Sequence, residues 1–184
     1  MSTPASKITH ANPGEAASLQ AARDEFITQW GTMGSAWGVN RTMAQIHALL
    51  ITATQPLTTD EVMEDLRISR GNANMNLREL CGWGLIRSVI RKGERKEYFE
   101  AEKDVWRMFC IIVRERKRRE IRPAINVLKD CIDRTDGMKS TAAVAFTKEI
   151  KALNEFMEIA DGVLSKVVRS EGSTIVPWAL KFLK

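Results

Sequence analysis

Thr58-Thr-Asp-Glu61, Ser69-Arg-Gly-Asn-Ala-Asn-Met-Asn-Leu-Arg78 and Arg91-Lys-Gly-Glu-Arg-Lys96 decide how this chain is read. The first is a capping box: a hydroxyl at the cap position and a carboxylate three residues on satisfy orphan N–H groups reciprocally. It predicts the start of a short helix carrying Val62, Met63 and Leu66 inward. Ile68 closes a turn, and Ser69 is placed to cap a second helix over about Arg70 to Trp83. Gly84 stands where a C-terminal glycine stop belongs. The third stretch is a charged turn around Gly93, between the β-rich runs Leu85 to Ile90 and Glu97 to Phe99. Two short runs about a glycine-centred loop predict a hairpin. Helix, turn, helix and basic-tipped hairpin in that order is the winged helix-turn-helix layout.

The flanks are read as helical. A helix is expected over about Glu15 to Trp37, with Leu19, Ala22, Phe26, Trp30, Met33 and Trp37 on one stripe. Gly31, Gly34 and Gly38 are expected to weaken its end. A second helix, about Arg41 to Thr54, places Met43, Ile46, Leu50 and Ala53 inward and ends at Gln55-Pro56. After the hairpin, Lys103 to about Cys131 carries Val105, Phe109 and Ile112, then Ile121, Ile125, Leu128 and Ile132, and Pro123 predicts a kink or break. Thr135-Asp-Gly137 reads as a turn. A last helix, about Ser140 to Arg169, steps 4, 3, 4, 3 through Phe146, Ile150, Leu153, Met157, Ala160, Leu164 and Val167, a heptad seam that packs helix on helix.

The fold class is therefore mainly α with a small β-hairpin wing. The expected organisation is a disordered tail over residues 1–14, an N-terminal helix over 15–40 contributing to a dimer core, a winged helix-turn-helix domain over 41–100, and a helical dimerisation region over 101–184. Pro177 to Leu183 is a short apolar end that needs a docking place.

Composition sets the class of partner. The 184 residues carry 28 Lys and Arg against 23 Asp and Glu, a net +5. Between Arg67 and Lys96 stand eight bases and two acids, a net +6 that exceeds the whole chain's excess. A localised excess is the electrostatic footprint of contact with a phosphate backbone. Three scattered cysteines make no disulfide framework and suggest a reducing cytoplasm. Met108 to Val113, the longest dense apolar run, is far short of the roughly 20 residues that span a bilayer. His10 and His47 are isolated, and no phosphate-binding glycine loop, nucleophile elbow or carboxylate dyad is present. The reading is of a non-enzyme with no metal, no cofactor and no membrane partner.

At 100° per residue, Ala73, Leu77 and Leu80 of the fourth helix share a core side, while Gly71, Asn72, Asn74, Met75 and Arg78 point away. Asn pairs with an adenine edge, Arg with guanine, and Met meets a thymine methyl in the major groove. Ser69, Arg70 and the helix N-terminus suit phosphate oxygens. Arg91, Lys92, Arg95 and Lys96 at the hairpin tip suit the minor groove or flanking phosphates. The expected partner is double-stranded DNA. The alternative is a winged-helix protein–protein adaptor, but that would show apolar anchors where Asn72, Asn74 and Arg78 stand.

Trp30-Gly31, Trp37-Gly38-Val-Asn-Arg-Thr-Met-Ala-Gln-Ile-His47, Ile68-Ser-Arg-Gly-Asn-Ala-Asn-Met-Asn76, Trp83-Gly-Leu-Ile86 and Gly93-Glu-Arg-Lys-Glu97 occur in order. Through them the chain, from roughly Glu15 to Cys131, resembles the GbsR branch of the MarR superfamily, winged-helix transcription regulators of bacteria and archaea. The resemblance implies a cytoplasmic homodimer acting as repressor or activator, with DNA read by the fourth helix and the wing. It also implies a small cationic effector such as choline, for which Trp30, Trp37 and Trp106 are candidate cage residues. The plainer reading of these indoles is core packing. Likewise, Cys110 reads first as a buried structural thiol and only second as a redox sensor.

Overall fold

A computed structural model describes residues 12–172. The described residues fall into two compact units, one formed by residues 12–81 together with Ile86–Ala101, the other by Gly82–Leu85 together with residues 102–172.

The first unit holds α1 (Pro13–Ala36), α2 (Arg41–Thr52), β1 (Leu57–Thr58), α3 (Thr59–Leu66), most of α4 (Arg70–Trp83), β2 (Ile86–Ile90) and β3 (Glu97–Ala101). α2 is its centre: Met43, Ala44, Ile46, His47, Ala48, Leu49 and Leu50 are all buried. Val62 of α3, Ala73, Leu77 and Leu80 of α4, and Phe99 of β3 complete the core, and the expected inward residues of α2 and α4 are all among the buried ones. The sheet has the order β1-β3-β2 and is antiparallel throughout. β2 and β3 run in register from Ile86 opposite Ala101 to Ile90 opposite Glu97. β1 was not expected. It is two residues long and exists because Leu57 and Thr58 find Phe99 and Tyr98, about forty residues further along.

α1 departs from its expected form at both ends. It begins at Pro13, with the Asn12 side chain capping Gly14 N–H at 3.2 Å. A proline at the first helical position costs nothing, since its missing N–H would be an orphan there. Residues 1–11 of the expected tail, with Pro4 and His10, lie outside the described residues. The helix also runs unbroken through Gly31 and Gly34. These glycines are packing sites: a Cβ on Gly34 would lie 2.6 Å from the Ala44 Cβ, and one on Gly31 would lie 2.6 Å from the Gln45 Cγ. They let α1 lie close along α2. Gly38, with φ of 74°, lies just past the helix end. The expected stripe is displaced as a result. Ile27 and Gly31 are the buried positions of α1, whereas Leu19, Met33 and Trp37 are exposed.

The second unit holds α5 (Val105–Arg116), a π-helical turn (Lys117–Ile121), α6 (Arg122–Thr135) and α7 (Thr141–Arg169). The helical run is not broken at Pro123. This proline sits in the first turn of α6, directly after the π-turn, where the helical ladder has already changed its spacing. α5 buries Cys110, Ile111 and Glu115, while Val105 and Phe109 of the expected stripe are exposed. α7 packs along α5 and α6. Of its heptad seam, Ile150, Met157, Ala160, Leu164 and Val167 are half-buried, but Phe146 and Leu153 face solvent. Phe156, Ile159 and Val163, unread in the sequence, are exposed as well. The Cys110 thiol is fully buried, its Sγ 3.4 Å from the Val167 carbonyl, and burial raises its pKa. The apolar end at Pro177 lies outside the described residues.

Candidate nucleic-acid interface

The site is built on α3, α4 and the hairpin. Thr58 N–H and Oγ1–H both donate to Glu61 Oε2 at 2.7 Å, and Glu61 N–H donates to Thr58 Oγ1 at 3.3 Å. That is the capping box read in the sequence, and the Thr58 backbone bond, more than its hydroxyl, holds the Glu61 carboxyl below its usual range. α3 ends at Arg67, which takes the left-handed conformation with φ of 51°, and α4 starts three residues later. Ser69 Oγ accepts the Asn72 N–H at 3.3 Å, so the cap forms as expected.

α4 presents Ser69, Arg70, Gly71, Met75 and Arg78 to solvent, with Met75 57% exposed. Asn74 is half-buried. Arg70 is also held by Asp60, at 2.5 Å, with both side chains more than half exposed. A pair so wetted is weak and gives way readily to phosphate. Asn72 is half-buried rather than fully outward, because its carbonyl groups are occupied by Asn76. Asn76 itself is buried beside Ala73, Leu77 and Leu80. Sequence spacing places Asn76 one turn from Asn72, and that spacing is the only hint of its position.

On the hairpin, Arg91, Lys92, Arg95 and Lys96 are all exposed. The Arg91 guanidinium lies over the Tyr98 ring, 4.1 Å from its centre, and the Tyr98 hydroxyl donates to Glu94. Arg87 is paired with Glu100 across the ladder, which leaves the tip as the unbalanced basic part.

The candidate cage residues stand differently. Trp37, at the C-cap of α1, is 60% exposed, and its main-chain N–H still donates to the Met33 carbonyl at 3.1 Å. Trp30 is half-buried against Phe26, ring centres 5.3 Å apart. Trp106 is half-buried against Phe109 at 5.4 Å, and its indole N–H donates to the Ser170 carbonyl at 3.1 Å. Both half-buried indoles thus have a phenyl ring as packing neighbour.

A buried helix pair, a left-handed turn, a solvent-facing second helix and a three-stranded wing define the winged helix-turn-helix class. Comparison with known proteins agrees on the fold. A solved structure described as a transcriptional regulator matches with a TM-score of 0.64 at 14% identity, over 82% of this chain and 98% of that one. The HTH-type transcriptional repressor GbsR of Bacillus subtilis (strain 168) is 23% identical over 150 residues, 82% of this chain and 80% of its own. YvaV of the same organism, named as an HTH-type transcriptional regulator, is 25% identical over 94 residues, and this chain spans 53% of its length. No family model matches the chain.

Proposed function

We propose that this protein is a sequence-specific DNA-binding transcriptional regulator, a repressor acting as a homodimer on a near-palindromic operator. One observation carries the reading: α4 offers solvent an arginine- and methionine-bearing face, with no acid among its exposed residues, on the module that also carries the exposed basic tip. The exposed α4 face suits base edges, and the exposed basic tip beside it in the same module suits phosphates. The relatives named above, regulators of transcription, support the same class. In this reading α4 lies in the major groove, with Ser69 and Arg70 on phosphate and Arg78, Asn74 and Met75 at base edges. Arg91, Lys92, Arg95 and Lys96 hold the flanking backbone or minor groove.

Homodimerisation is supported by the apolar side chains of α7 that no part of the described chain covers, above all Phe156, Ile159 and Val163. A two-fold dimer sets its recognition helices about 34 Å apart, one turn of DNA. The test is selection of bound duplexes from a random pool, followed by footprinting. An enriched palindrome protected on one face supports the reading, and no enrichment overturns it. A small quaternary ammonium such as choline remains the effector to try first. Its effect on operator binding and tryptophan fluorescence decides the matter, and no response at millimolar concentration removes it.

A further inference from the structure

Asn76 is fully buried in α4, at a place the helix pattern fills elsewhere with Ala73, Leu77 and Leu80. Its Oδ1 has no partner, a standing cost that an apolar side chain would avoid. Its Nδ2 donates twice, to the Asn72 main-chain carbonyl at 2.8 Å and to the Asn72 side-chain oxygen at 2.7 Å. These two bonds fix both amides. The main-chain carbonyl only accepts, so the end of Asn76 facing it is the amino end. The Asn72 atom that meets the same amino group must then be its oxygen. Asn72 is therefore held with Oδ1 turned to the helix. Its Nδ2 makes no hydrogen bond among the described residues and is not sealed from solvent. Asn72 lies in the first turn of α4, next to exposed Ser69 and Met75.

We infer that Asn76 is a positioning residue for specificity: it makes Asn72 a pure donor toward the major groove and selects guanine over adenine at one operator position. The inference rests on α4 being the base-reading helix. A bidentate contact with adenine needs an amide oxygen and an amide nitrogen on the same edge, to accept from N6 and donate to N7. The Asn76 bond turns that oxygen away. Guanine offers the two amide hydrogens a pair of acceptors, O6 and N7, whereas adenine offers N7 alone beside an opposing amino group, thymine offers O4 alone, and cytosine presents only a donor. Asn72 thus reads differently from the adenine contact its residue type first suggests.

The test compares selections of bound DNA by the wild type, Asn76→Leu, Asn76→Ala and Asn72→Ala, each first checked for cooperative melting. Two Asn76 variants are used because one may pack poorly. The wild type should enrich guanine at one position per half-site, and 7-deazaguanine there should weaken its binding. Either folded Asn76 variant should relax the guanine-to-adenine preference by about tenfold at that position while other positions keep theirs. Asn72→Ala should lose the preference and the 7-deazaguanine effect together. A preference unchanged in Asn76→Leu and Asn76→Ala, or a uniform loss of affinity without change of preference, overturns the inference and leaves the regulator reading standing. Absence of any enriched sequence with the wild type overturns both.

Discussion

His47 stands in the middle of α2, 3% exposed, with its Nε2 lacking a hydrogen-bond partner. Burial alone lowers its pKa from 6.5 to about 4. The unfolded chain therefore binds a proton first as the solution is acidified. Stability from the neutral ring is complete above pH 6.5 and is lost as pH falls from 6.5 to about 4. The full loss is about 3 kcal/mol. Urea unfolding of wild type and His47→Leu over that range checks it. The difference in stability should move in favour of the leucine variant as pH falls, since the carboxylate background is common to both. A constant difference would mean that the ring protonates in place. A second residue-scale expectation separates two glycines. Alanine at Gly34 meets the Ala44 Cβ, which is fixed to α2, whereas alanine at Gly31 meets the flexible Gln45 side chain. Gain in helix propensity is about 1 kcal/mol at either site, and overpacking costs about 1–3 kcal/mol. Gly34→Ala should lower the melting temperature, and Gly31→Ala should lower it less or leave it unchanged.

At the scale of elements, wing and recognition helix should fail in different ways. Lys92→Ala and Arg95→Ala should weaken binding to all sequences alike and flatten the salt slope by about one unit each. Arg78→Ala should cost about 1–3 kcal/mol of discrimination between operator and random DNA. Salt titrations on both duplexes measure the two effects, and uniform losses in every variant would remove α4 as reader. The elements that were legible in the sequence are those whose signals are local: the capping box at Thr58, the Ser69 cap, the limits of α4, the hairpin around Gly93. What was not legible depended on partners far along the chain. Leu57 becomes strand only beside Phe99. Pro13 and Pro123 read as interruptions because proline is punctuation in sequence, yet each occupies a first helical turn that tolerates it. Asn72 looked outward by angle, and only the burial of Asn76 shows where its oxygen goes.

At the scale of the molecule, the question is what covers α7. Its heptad spacing correctly announces a packing helix, but Ile150, Met157 and Leu164 are already half-buried in their own chain. The apolar surface left over is a different stripe, with Phe156 65% and Ile159 62% exposed. Sedimentation at micromolar concentration should give about twice the chain mass of 20.7 kDa. Phe156→Glu should shift the particle to monomer with little change in helicity, since the side chain is not part of the protomer core, and should weaken binding to a two-half-site operator far more than to a single half-site. A wild-type monomer that binds operator tightly would end the proposal.

The π-turn at Lys117–Ile121 adds a consequence for lineage. Such a turn closes its hydrogen bonds over one residue more than an α-helical ladder does. Removing one residue there restores plain α-helix but turns everything on one side by about 100°. Cys110 and Ile111, buried ahead of the turn, would then be rephased against Ile125, buried after it, although each half kept its own sequence. Length at this point is therefore a heritable dial, set by a single codon, on how the two halves of one helix are phased. A descendant could retune that phase by losing a residue, without altering any other.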